Sequence, residues 1–204
     1  MSVLTDTLYA AYAYDTEDTT KLLRQLNERY RATWINALQD LARTHGCNQY
    51  PPTPKGADAK YLRSLAERDA QSISNTYNKD LRREIERLYA ANKKGNRTYY
   101  TSNLAKWQKK RDTWKVYQIG IATDSNARQY AFTRFYAMNT QIARMFVASG
   151  PPAVCKICLR LFAAGVVSYE FTQMNPFPAH INCPHLWKAA APQKVECSQL
   201  WVGK

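Results

Sequence analysis

Cys155-Lys-Ile-Cys158 is followed, after 21 residues, by His180-Ile-Asn-Cys183-Pro-His185, so five of the chain's eight Cys and His residues fall within 31 positions. Zinc prefers four tetrahedral sulfur and nitrogen donors, and two donors spaced by two residues can grip one ion from a single turn. A Cys-x-x-Cys pair and a His-x-x-Cys pair separated by a loop form the ligand pattern of a structural zinc site. The spacing predicts Cys155, Cys158, His180 and Cys183 as ligands of one zinc ion per chain. His185 has a tighter bite, two residues from Cys183, and either replaces His180 or stands outside the ligand shell. The segment lacks an apolar periodicity that would fold it unaided, so metal binding would supply folding free energy.

Other chemistries compete for these residues. A redox dithiol usually opens a helix in a βαβ context, and the sequence shows no such context around Cys155 and Cys158. Reduced core thiols suit one cysteine better than three cysteines and two histidines in one window. A disulfide needs an oxidising compartment, and five cysteines, an odd number, fit a metal or a reducing compartment better. His45 and Cys47, beside a predicted helix end, read as incidental. A catalytic zinc keeps one position open and needs a base nearby. The nearest acids, Glu170 and Glu196, sit in neither an HxE nor an HExxH arrangement, and the deaminase pattern is absent. The expectation is a structural metal and no enzyme.

The chain has 204 residues, 45% of them hydrophobic, enough to bury a core of about 150 residues with an appendage. Its first residues carry neither a basic n-region nor an apolar h-region, and no apolar run approaches transmembrane length. No secretory signal and no membrane partner are expected. Net charge is +13, and residues 79–115 carry 12 Lys+Arg against 4 Asp+Glu. There Tyr99, Tyr100, Trp107 and Trp114 interleave with Lys106, Lys109, Lys110, Arg111 and Lys115. Such a mixture can neutralise phosphates and stack on exposed bases, so these five cations are the candidate nucleic-acid contacts. The competing reading is a solvated helix face whose aromatics point into the core.

The elements that must position these groups are mainly helical. Leu23, Leu26, Tyr30, Trp34, Leu38 and Leu41 mark one helix face, with Thr16 or Asp18 as cap and Gly46 as end. After the breaker Pro51–Gly56, an apolar stripe from Leu62 through Ala66, Ala70, Ile73, Tyr77, Leu81 and Ile85 to Leu88 predicts a helix of about 35 residues, roughly 50 Å long. Residues 92–97 read as a turn. A third helix begins near Ser102, with an interruption at Gly120 or in Thr123–Asn126. A fourth runs through Ala127, Ala131, Phe135, Met138, Ile142 and Met145 to Gly150-Pro151-Pro152. No strand is expected before residue 150, and Gly165–Thr172 is the best strand candidate after it. The predicted fold is mainly α: a helical body over 1–150 and a small zinc-stapled module with a short strand or hairpin over 151–204. Phe135, Met138, Met145 and Phe146 are available as apolar contacts for a partner.

A helix ending at Gly-Pro, then Val-Cys-x-x-Cys-Leu, a short strand and Pro-x-Pro-x-His-x-Asn-Cys resembles the C-terminal half of phage head-morphogenesis proteins, the Mu F-like minor head proteins. Their signature ends in a His-Pro-Asn-Cys-Arg-Cys type motif, matched here by His180–His185. Residues 121–139 also resemble that family's helix, which opens with Thr-Glu and carries a downstream Asn, with Asp124 and Asn139 in those places. The likeness covers roughly residues 119–187, about a third of the chain. Ile181 stands where Pro is usual, Pro184 where Arg is, and His185 where the last Cys is. The Cys-to-His exchange conserves ligation and raises His185 as a ligand in place of Cys155 or His180.

The resemblance implies a minor virion component, made in the host cytoplasm and placed in the head near the portal or inner capsid. It implies several copies per particle, a role in head assembly or DNA packaging and delivery, and no known catalysis. Packaged DNA would lie beside the basic belt. The alternative is a stand-alone zinc-stabilised nucleic-acid-binding protein, although the spacing lacks the C₂H₂ signature.

Overall fold

The computed structural model describes the backbone of residues 3–49, 51, 53–142, 145–153, 155–177 and 183–200, and the side chains of all of these except 3, 113–119, 122 and 199. The element order is α1 (Val3–Tyr12), α2 (Thr16–Thr44), α3 (Gly56–Ala91), α4 (Arg97–Met138), β1 (Met145–Ser149), α5 (Lys156–Ala163), β2 (Val167–Ser168), α6 (Tyr169–Met174), β3 (Leu186–Ala189) and α7 (Cys197–Leu200). The fold is thus mainly helical, with a small sheet near the C-terminus. Among the described residues no helix is long and apolar enough to cross a membrane. The residues group into two compact units, 1–28 with 63–117 and 29–62 with 118–204. The second unit joins 151–204 to helical segments from before residue 150, because β1 lies before that point and its partners β2 and β3 lie after it.

In the first unit the long stripe of α3 closes its core. Tyr77, Leu81, Ile85 and Leu88 are buried with Leu8 of α1 and with Tyr100 and Leu104 of α4. The helix α1 lies outside the sequence-based expectations; it supplies Leu8 and, through Tyr9 and Tyr12, an apolar lid on that core. Asn78 fastens the turn after α1 with both ends of its amide, accepting from Tyr14 N at 2.8 Å and donating to Tyr14 O at 3.1 Å. The turn expected over 92–97 is present, but α4 begins already at Arg97 and not near Ser102: Gly95 N donates to Asn92 O, and Asn96 Oδ1 caps α4 by accepting from Tyr99 N at 2.9 Å. The cap of α2 is Asp15, whose Oδ1 accepts from Asp18 N at 2.8 Å, in place of the predicted Thr16 or Asp18.

The second unit holds most of the aromatic core. Phe132, Tyr136 and Phe146 meet with ring centroids 4.8–5.0 Å apart. Phe135 and Phe146 are fully buried, so they are core residues and not the expected partner contacts; Met145 is 47% exposed. Three expectations about α4 and the segment after it change. The helix runs without a break through Gly120 and 123–126. It ends at Met138, where the buried Asn139 side chain donates to Phe135 O at 2.8 Å and its own carbonyl accepts from Ile142 N. That side chain offers the backbone a partner outside the helical ladder, so the helical phase carried on by Ile142 and Met145 is not continued.

Residues 145–149 are instead a strand, the centre of an antiparallel sheet ordered β2-β1-β3, with Phe146 opposite Val167 and Ala189. Of Gly165–Thr172 only Val167 and Ser168 are strand. Ser168 Oγ accepts from Phe171 N and thereby starts α6, so the aromatic residues that suggested a strand belong to a helix.

Candidate metal centre

Three buried side chains converge on one point: Cys158, Cys183 and His185, whose ligand atoms all lie within 4.8 Å of one another. Cys158 Sγ is 3.5 Å from Cys183 Sγ, and Cys183 Sγ is 3.3 Å from His185 Nδ1. A tetrahedron of ~2.3 Å zinc–sulfur bonds has edges of about 3.8 Å, so the separations are close to those of ligands around one ion. This group could hold a metal ion.

Each ligand is placed by a different element. Cys155 caps α5 in extended conformation, its sulfur accepting from Cys158 N at 3.3 Å, which turns Cys158 inward on the first helical turn. The Cys-x-x-Cys pair therefore does open a helix, but β1 and β2 on either side of it are antiparallel, unlike a βαβ unit. Cys183 is anchored by Ser125 of α4, whose hydroxyl donates to Cys183 O at 3.0 Å. His185 lies just before β3. Its Nε2–H donates to Pro151 O at 3.0 Å, which leaves the Nδ1 lone pair facing Cys183 Sγ. A carbonyl on the far nitrogen is the usual means of orienting a metal-binding imidazole. Phe162 and Phe177 flank the ring, with centroids 5.0 and 5.8 Å away.

Burial, and then the neighbouring Cys155 and Cys183 thiols, push the Cys158 thiol up to about 12. A bound cation would reverse that preference by stabilising the thiolate. Among the described residues no carboxylate belongs to the group. Two clefts are lined elsewhere, one by residues such as Thr16, Thr19, Gln71 and Asn78, the other by Leu41, Phe132 and Trp187 among others. The arrangement suits holding an ion in place.

Of the predicted ligands, Cys158 and Cys183 come together and Cys155 stands beside Cys158. His180 lies outside the described residues. His185, the weaker candidate by spacing, is the imidazole found in the group. The two-residue spacer rule missed it because β3 begins at Leu186 and swings the ring back over Cys183.

The basic belt divides. Lys106, Lys109 and Lys110 are exposed on α4, but Arg111 is half-buried and ion-paired with Asp80. The Lys115 and Trp114 side chains lie outside the described residues. Tyr100 is buried, Tyr99 packs edge-on against it, and Trp107 packs against Tyr77. These three aromatics face the core, so they do not form a stacking platform; helical spacing put the core residues between the lysines.

Cys47 and His45 are not incidental. Cys47 forms a disulfide with Cys197, 150 residues away, with Cα atoms 5.0 Å apart. The odd cysteine count obscured this, because two chemistries share the five: two residues form the disulfide and three remain thiols. His45 is fully buried, its Nδ1–H donating to Gln193 O at 2.7 Å and its Nε2 accepting from Tyr136 OH at 3.1 Å. The signal available in the sequence was Gly46 after a helical run: Gly46 has φ +85°, and Cys47 N reaches back to Ala42 O, closing the helix end and aiming Cys47 inward.

Compared with known proteins, the chain matches no family model, no curated protein and no solved structure.

Proposed function

We propose that this chain is a non-enzymatic minor head protein of a tailed phage, associated with the portal or inner capsid, whose C-terminal segment is stapled by one structural zinc ion. The observation that carries this reading is the buried convergence of Cys158, Cys183 and His185. These residues lie in the window whose motif resembles that of the head-morphogenesis proteins, and His185 replaces the family's last cysteine as a donor. A mixed thiolate and imidazole set favours zinc among common divalent ions, and Cys155, beside Cys158, completes four donors. The other part of the resemblance, residues 121–139, supports the same reading. Ser125 holds Cys183 O, and Asp124 accepts from Thr33 at 3.2 Å and pairs with Arg29 at 3.4 Å, tying α4 to both α2 and the metal loop.

The test has two arms. Elemental analysis of purified protein is expected to find about one zinc per chain. Sedimentation with a portal ring or with empty capsids of the same phage is expected to carry the chain into the particle fraction in several copies. A zinc-loaded chain that never co-sediments with either would end the virion reading and leave the metal reading standing.

One observation favours the second reading, a zinc-stabilised nucleic-acid-binding protein: Lys106, Lys109 and Lys110 are exposed at i, i+3 and i+4 spacing, which places them on one face of α4. Salt-dependent binding to short duplexes by the isolated chain, without portal association, would favour it.

A further inference from the structure

The segment after β3 is attached to the end of α2 in a way the metal does not explain. Val195 N donates to His45 O at 2.9 Å, and His45 Nδ1–H donates to Gln193 O at 2.7 Å. The aliphatic stem of Lys194 lies over Gly46, and Cys197 is bonded to Cys47. Residues 193–197 are thus laid along residues 45–47. Yet none of residues 190–198 is buried; Leu200 is the buried anchor beyond them. Few buried contacts and largely exposed hydrogen bonds characterise segments that open locally at low cost.

We propose that residues 193–200 are a strap over the C-terminal end of α2, and that Cys47–Cys197 is its redox-operated clasp. His45 supplies the non-covalent half. Its bonds with Gln193 O and Val195 N align the two cysteines for closure, but alone they let the strap open. The covalent half decides whether the strap stays. Cys197 is half-buried and Cys47 fully buried, so Cys197 is the half of the bond an external thiolate would attack. Attack there forms a mixed disulfide, breaks the Cys47–Cys197 bond and sends the electron pair to Cys47 Sγ, which takes up a proton. A second thiol of the reductant then displaces Cys197 and leaves as the reductant's own disulfide. Closure is the reverse, with glutathione disulfide as the two-electron oxidant. A metal on Cys158 and Cys183 withholds those sulfurs from exchange, which leaves Cys47 and Cys197 to find each other. The clasp does not depend on what the chain assembles with.

Trypsin cleavage after the exposed Lys194 reads the strap directly. The full chain with zinc would be equilibrated in glutathione buffers from oxidised to reduced, with the linkage identified by mass spectrometry. Cutting after Lys194 is expected to be at least about tenfold faster in the reduced buffer, since cleavage tracks the open population. Cys197→Ser is expected to be cut at the fast rate in both buffers, with circular dichroism confirming its fold. If that variant does not fold, the glutathione series on the unaltered chain decides alone. Equal cutting rates in the two buffers with the linkage present, or Cys47 and Cys197 left as thiols in the oxidised buffer, would overturn the proposal.

Discussion

Gly150 lies directly against His185. A Cβ built on Gly150 would stand 2.8 Å from His185 Cδ2 and 3.3 Å from its Cα, and the residue has φ +142°, where side chains are rarely tolerated. The close approach fixes the imidazole between Gly150 and Cys183, and the neighbouring Pro151 carbonyl holds its far nitrogen. Gly150→Ala must push the ring or shift the chain after β1. Metal affinity is expected to fall by about 10–100-fold, the range for losses of ligand support, as measured by competition with a chromophoric chelator. Unchanged affinity would show that His185 is not a ligand.

The parts that were legible in the sequence are those fixed by local periodicity. The stripe on α3 is one: Leu62, Ala66, Ala70, Tyr77, Leu81, Ile85 and Leu88 are all buried, and the helix is 36 residues long. The metal window was legible because its chemistry is concentrated in sequence. What escaped depends on tertiary contacts. The strand β1 shares its residues with an extrapolated helix, and only the Asn139 side chain and the flanking strands decide between them. His185 joins the group through the turn into β3, which its two-residue spacing from Cys183 does not announce. The Cys47–Cys197 bond joins positions 150 residues apart; Gly46 locally turns Cys47 inward, but nothing local names its partner.

The ligand set can be separated by single replacements. Cys158→Ser, Cys183→Ser and His185→Ala are each expected to drop bound zinc well below one per chain and to loosen the module, because a structural ion contributes folding free energy. Cys155→Ser is expected to do the same, and His180→Ala to retain about one zinc. Elemental analysis with amino-acid quantitation reads the outcome. Loss of zinc from the His180 variant and retention in Cys155→Ser would exchange the fourth ligand.

His45 should impose a pH dependence on stability. Burial lowers its pKa below the usual 6.5, opposed in part by its bond to Gln193 O. The unfolded chain therefore binds a proton that the folded chain resists, and stability is greatest above about pH 6.5. It should decline as the pH falls from there through the folded-state value. Urea midpoints for the unaltered chain and His45→Gln, measured between pH 8 and 5, are expected to converge at the acid end. A constant difference between them across that range would remove the histidine as the cause.

Arg111 and the lysines beside it should respond differently although they are neighbours in sequence. Lys106, Lys109 and Lys110 are exposed, so replacing all three by Ser should leave stability nearly unchanged. If the face meets DNA, the triple variant should flatten the salt dependence of binding by up to about three units of slope, near 0.9 per lost phosphate contact. Arg111 sits partly buried against Asp80, with side chains 23% and 25% exposed. Arg111→Ser should therefore act on the fold, leaving Asp80 with only the exposed Arg83 guanidinium at 3.9 Å, at a cost of about 1–3 kcal/mol. Asp80→Asn should cost less, since its amide oxygen can still accept from the Arg111 guanidinium. A triple lysine variant as destabilised as Arg111→Ser would mean that these lysines are structural, and the DNA-facing role would then have no support.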